Sequence, residues 1–140
     1  MDDFYLFVNS QDSLSTFVNN VGGHFRVCLP KRYILDGTWE CALLELSFAT
    51  QLITSTRRIY VCCDFVDHSY VRGTSLPILQ SVGIWNEAVT DVTFDQSLYF
   101  AVNVKELYHI GFVLRDDQLQ ECRFKDDRVF LLLHFRRKRL

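Results

Sequence analysis

Helical periodicity is missing from this sequence of 140 residues. No window of about twelve residues repeats apolar side chains at the 3.6-residue spacing of an amphipathic helix. That excludes a helical bundle. Also missing is an apolar run near the ~18 residues of a membrane-spanning helix. The start, Met1-Asp2-Asp3-Phe4-Tyr5, lacks a basic segment ahead of an apolar one, so no secretory signal is read there. Proline is scarce, with only 2 residues, and no Pro/Gly-rich linker, internal repeat or low-complexity tract divides the chain. One domain is expected over residues 1–140.

Metal and catalytic signatures are absent as well. The 5 cysteines, Cys28, Cys41, Cys62, Cys63 and Cys122, are odd in number and none forms a C-x-x-C pair. They read as reduced thiols acting as small hydrophobes in a cytosolic or nuclear protein. His24, His68, His109 and His134 do not fall at ligand spacing. There is no P-loop, no Rossmann glycine fingerprint and no nucleophile elbow. The acidic pairs Asp116-Asp117 and Asp126-Asp127 stand in turn contexts, where Asp serves local hydrogen bonding. The expectation is a protein that is not an enzyme, with no catalytic, metal or cofactor site. A net charge of −2 gives no global drive toward nucleic acid or membrane.

What is present is apolar and aromatic. Hydrophobic residues make up 49% of the chain and 12 residues are Phe, enough for a dense core. They fall in short β-type runs between turn clusters: Phe4–Val8, His24–Leu29 stopped by Pro30, Thr38–Phe48, Arg58–Val66, Leu76–Ile84, Ser97–Val102, Glu106–Leu114 and Val129–Arg136. Pro77 and Gly83 mark Leu76–Ile84 as an edge or bulged strand. Residues 67–75 read as a loop, residues 85–96 as a possible loop, and Ser13 as the N-cap of a short helical turn around Phe17.

The last run alternates cleanly. Val129, Leu131, Leu133 and Phe135 share one face. In Glu106–Leu114 the same period puts Tyr108, Ile110, Phe112 and Leu114 together. Trp39 opens the longest run, after the Asp36-Gly37 turn. The expected core anchors are Trp39, Leu44, Phe112, Leu131 and Leu133. About eight short strands in one domain predict an antiparallel jelly-roll of two four-stranded sheets, with the first and last strands side by side.

The end of the chain is basic: Arg136, Arg137, Lys138 and Arg139 form an expected tail over residues 136–140. It reads as a solvated terminus, as a short localisation or polyanion patch, or as an arm to an acidic partner. Nucleic acid contact through four charges is weak and salt-sensitive. The aromatic run Phe4-Tyr5-Leu6-Phe7-Val8 has no interleaved basic residues, so it reads as core or interface packing and not as a base-stacking platform.

Several motifs in order resemble a known family. They include Phe25-Arg26-Val27-Cys28-Leu29-Pro30 and Leu35-Asp36-Gly37-Thr38-Trp39-Glu40-Cys41-Ala42-Leu43-Leu44-Glu45-Leu46. Tyr60-Val61-Cys62-Cys63-Asp64-Phe65-Val66, Ile110-Gly111-Phe112-Val113-Leu114-Arg115-Asp116-Asp117 and the closing Val129 to Arg137 run continue the series. Across nearly its whole length the chain resembles the penton-like minor capsid proteins of Polinton (Maverick) elements and adintoviruses. It departs from them in its short connections, in the lack of a second domain for a spike, and at Gln80, where the family often has Arg. The resemblance implies a single jelly-roll that forms homopentamers at the fivefold vertices of a virion. Its neighbours there would be trimers of a double jelly-roll major capsid protein, with assembly in the host nucleus or cytoplasm. A hexon-stabilising minor capsid or cement protein, and a monomeric lectin-like or host-domesticated binding module, are the alternative functions.

Overall fold

A computed structural model describes residues 2–49, 52, 56–84 and 89–138. Its strands are β1 (Asp3–Asn9), β2 (His24–Ile34), β3 (Trp39–Ala49), β4 (Arg58–Cys63), β5 (Ser69–Val71) and β6 (Thr74–Leu76). They continue with β7 (Ile78–Gly83), β8 (Val89–Thr93), β9 (Phe100–Ala101), β10 (Glu106–Arg115) and β11 (Val129–Arg137). The described residues contain no helix.

Two antiparallel sheets face each other. The first runs β1-β11-β3-β8, with β9 also on β3; the second runs β2-β10-β4-β7. Without β5, β6 and β9, the eight remaining strands taken in chain order read 1-8-3-6 and 2-7-4-5. That is the jelly-roll order, with the first and last strands adjacent. Among the described residues the count is eleven, not eight, because of two local additions. β9 is a two-residue pairing with Glu40 and Cys41. β5 and β6 form a hairpin within residues 67–75 and the start of the next run, where a loop is expected from the sequence. Its turn residues Arg72 and Gly73 have φ of 48° and 81°. Positive φ at both central positions is the type I′ geometry that matches strand twist, and Arg-Gly is a weak sequence signal for it.

The core lies between the sheets. Trp39, Phe112, Leu131 and Leu133 are all buried in it, at 2% exposure or less. A file of aromatic rings crosses it. Phe25 meets Phe112 at 5.2 Å, Phe112 meets Phe65 at 5.9 Å, Phe65 meets Phe135 at 5.4 Å and Phe135 meets Phe4 at 4.9 Å. Pairs at such offsets add stability beyond their buried area. A smaller apolar cluster, with Cys62, Val71 and Ile78 buried, lies under the β5–β6 hairpin on the outer face of the second sheet. Cys63 points the other way, into the main core.

Bulges change the strict alternation read from the sequence. In β10 the register slips between Leu107 and His109. Leu107 therefore joins Ile110, Phe112 and Leu114 inside, and Tyr108 turns outward, under the Arg32 guanidinium at 4.2 Å. In β3 the register shift opposite Leu132 and Leu133 skips Leu44, which is half-buried, while Leu43 and Leu46 take the core positions. Leu44 is thus not the core anchor expected of it; a bulged residue loses its place in the two-residue period.

Pro30 does not end β2. It sits on an edge strand, between the pairs Cys28–His109 and Tyr33–Leu107, where no ladder bond is asked of its nitrogen. β7 begins only after Pro77 and is an edge strand. β8 lies within the ambiguous segment 85–96. Ser13 is not a helix N-cap: its hydroxyl accepts the Cys28 N–H at 2.9 Å, and residues 11–16 form turns.

Candidate interaction surfaces

Two of the four basic residues at the end of the chain, Arg136 and Arg137, belong to the sheet. β11 extends through Arg137, between β1 and β3, so Arg136 and Arg137 are strand residues and not the start of a separate tail. The Arg137 N–H donates to the Asp2 carbonyl and the Lys138 N–H to the Thr38 carbonyl, at 2.8 and 2.7 Å. Arg136 donates from Nε to Glu40 at 2.7 Å, and its guanidinium stands 3.4 Å from the Tyr99 ring centre. Arg137 lies over Trp39. Flanking strands hold these residues because β11 is an inner strand whose backbone must pair on both sides. Arg139 lies outside the described residues.

Next to Arg136 on the outer face of the first sheet is His134, whose side chain is only 12% exposed. Its ring stacks on Tyr5 at 4.5 Å. One ring nitrogen meets the Tyr99 hydroxyl at 2.8 Å and the other meets Asp3 at 3.0 Å. The pairing of Tyr5 with His134 and Phe7 with Leu132 follows from the register of β1 and β11.

Beyond His134 the face turns apolar. Tyr5 is 52% and Phe7 69% exposed. Phe7 leans toward Phe130, ring centres 6.5 Å apart, beside half-buried Leu132. β1 therefore presents apolar side chains on both faces: Leu6 and Val8 inward, Tyr5 and Phe7 outward. A strand written this way is suited to cover on both sides. Neither Tyr5 nor Phe7 stood out as a site from sequence, although the unbroken apolar run of β1 carried the signal.

The outer face of the second sheet carries a hollow of about 180 Å³, lined by His24, Arg26, Cys62, Asp64, Gly111 and Arg115 among others. Asp64 accepts the Gly111 N–H at 3.0 Å and pairs with Arg26 at 3.1 Å. A side chain at Gly111 would meet the ends of both partner side chains within 3.0 Å, so glycine leaves room for them to pair across it. Arg115 donates to the Leu119 carbonyl at 3.1 Å, and its buried Nε has no partner. His24 pairs with Glu121. Burial holds the Cys62 thiol above its ordinary value, partly offset by Arg115, so it stays protonated and weakly nucleophilic.

The acidic pairs diverge. Asp116 accepts the Gln118 and Gln120 N–H groups and Asp117 that of Arg57. Asp127 takes the Gly22 N–H, while Asp126 grips Arg128 and is lowered to about 2 by those bonds. Asp116 and Asp126 tie local turns, as expected, whereas Asp117 and Asp127 reach segments 60 and 105 residues away, so the two carboxylates of a pair part company. Among the described residues no three His, Cys, Asp or Glu gather as a metal set. No described helix is long and apolar enough to cross a membrane.

Compared with protein-family models and with curated proteins, the chain matches none.

Proposed function

We propose that this chain is a non-enzymatic structural subunit of a capsid, which works by packing against copies of itself. The observation that carries the reading is the jelly-roll strand order together with the exposed aromatic pair Tyr5 and Phe7, beside half-buried Phe130, on the first sheet. Monomers seldom leave contiguous apolar area open, and subunit interfaces favour aromatic residues. The motif series shared with penton-like proteins gives the form of the assembly: a ring, as a homopentamer at a fivefold vertex, beside trimers of a double jelly-roll major capsid protein. A head-to-tail contact that closes makes such a ring. Native mass spectrometry and sedimentation at micromolar concentration and moderate salt test this. A discrete pentamer is expected; a strict monomer across that range counts against it.

A second reading rests on the hollow of the second sheet, which Arg26 and Arg115 line together with apolar side chains. That is the layout of a small binding module for an anionic ligand. A monomer that binds carboxylate ligands, with binding lost on Arg115→Met, would favour it.

A further inference from the structure

Of the four edges of the two main sheets, as far as the described residues show them, three are protected against strand pairing. β2 carries Pro30, Lys31, Arg32 and a bulge. β7 follows Pro77, ends in Gly83 and is bulged against β4. β8 spans only five residues. Proline, positive charge, bulges and shortness are the usual devices that keep edges from joining other chains.

β1 has none of these devices. It runs for seven residues, Asp3 to Asn9, in unbroken register with β11, without proline, glycine, lysine or arginine. β11 is its sole ladder partner among the described residues. In an antiparallel ladder alternate residues turn their backbone groups away from the partner, so β1 presents the N–H and C=O groups of Asp3, Tyr5 and Phe7 along its outer side, while those of Asn9 are bonded to Asp12. Tyr5 and Phe7 stand exposed beside that row.

We infer that the free edge of β1 pairs with β1 of a second copy, antiparallel and about a two-fold axis at Leu6, to join the two first sheets into one. The sequence of the strand is self-complementary in that register. Leu6 faces Leu6 of the second copy, and Phe4 faces Val8. On the outer face Tyr5 meets Phe7 twice, once in each direction. Asp3 faces Asn9, so no like charges are opposed. Phe4 to Val8 pair in full, while at each end the Asn9 N–H and carbonyl are already bonded to Asp12; a two-residue slip sets Asp3 against Phe7 or Tyr5 against Asn9 and loses the Tyr5–Phe7 pairs. Aromatic cross-strand pairs are among the stabilising ones. An edge contact of this kind buries less than a standard interface, on the order of 1,000 Å² in total, which places it in the weak, transient class.

The inference rests on the reading of the chain as a self-associating subunit, but the contact is isologous and differs from the head-to-tail contact of a ring. Two measurements test it. In mixtures of Tyr5→Cys protein with Phe7→Cys protein, oxidation should cross-link the two variants about tenfold faster than either variant alone, because only the mixed pair lies directly opposite. Unsubstituted protein sets the background of the native thiols. In sedimentation across the micromolar range, Phe7→Lys should weaken the two-fold association about tenfold or more, since each dimer gains two edge lysines and loses two aromatic pairs. Phe7 is exposed, so its melting temperature should stay near that of the unsubstituted protein. Equal cross-linking in single and mixed samples, or no cross-link, overturns the inference. An association untouched by Phe7→Lys overturns it too. A pentamer that persists in Phe7→Lys leaves the capsid reading standing while the edge pairing falls.

Discussion

Replacing Trp39 by alanine removes the largest side chain at the start of β3. The indole is 2% exposed, meets Phe4 at 5.6 Å between ring centres, and lies under the Arg137 guanidinium at 5.5 Å. Its Nε1 donates to the Asp36 carbonyl at 2.8 Å, which fixes the turn at Gly37. Truncation of a buried aromatic costs about 3–5 kcal/mol, and loss of the hydrogen bond adds about 1 kcal/mol. A domain is held by only about 5–15 kcal/mol. With roughly 3–5 °C lost per kcal/mol for a chain between the surveyed sizes, Trp39→Ala should melt at least about 10 °C lower, and most of it should be insoluble on expression. Trp39→Phe keeps most of the apolar area and loses the hydrogen bond, so it should cost about 1–2 kcal/mol. Urea titration and scanning calorimetry of both variants give the comparison. A soluble Trp39→Ala protein with a cooperative transition within about 5 °C of the unsubstituted chain would refute the reasoning, because the indole would then contribute little to the core.

Three further outcomes follow from particular contacts. A Cβ at Gly23 would stand 1.9 Å from the Cys122 carbonyl oxygen, so Gly23→Ala must move backbone and should cost about 3 kcal/mol in urea titration. Gly73→Ala, in open space at φ +81°, should cost only about 1 kcal/mol, and equal costs would contradict the packing at Gly23. Asp126, lowered to about 2 by its bonds to Arg128, should titrate near that value by carbon-detected NMR and return toward the ordinary value in Arg128→Gln. Because the folded value is depressed, the pair's small contribution is complete above about pH 4 and is lost as pH falls through about 2; a midpoint near 4 in the unsubstituted protein would contradict the pairing. Burial pushes the Cys41 and Cys63 thiols well up, and burial with Asp116, Glu121 and Asp117 nearby pushes Cys122 up to about 12. In the folded protein at mildly alkaline pH a thiol reagent should label Cys28 first and these three hardly at all, with 5 thiols after denaturation. Rapid labelling of Cys122 in the folded state would show that it is not buried.

The local pattern of residues determined the class of fold. Period-two alternation in Val129–Arg136, the apolar length of Thr38–Phe48 and the Asp36-Gly37 turn are properties of neighbours in the chain, and each reappears as a strand or a turn. The phase within those strands was decided elsewhere. Tyr108 left the core and Leu107 entered it because β10 slips against β2; Leu44 was displaced because β3 is bulged against β11. Neither slip has a signature in its own strand, since a bulge is set by how two distant segments share one ladder. Pro30 stayed inside β2 because that strand is an edge, which is a fact about the sheet and not about the dipeptide. The placement of Arg136 against Glu40 and Tyr99, and of the bare β1 edge beside Tyr5 and Phe7, likewise came from strand order. Side-chain chemistry written every second residue selects a sandwich, but partners far apart in sequence decide which side chains that sandwich leaves exposed.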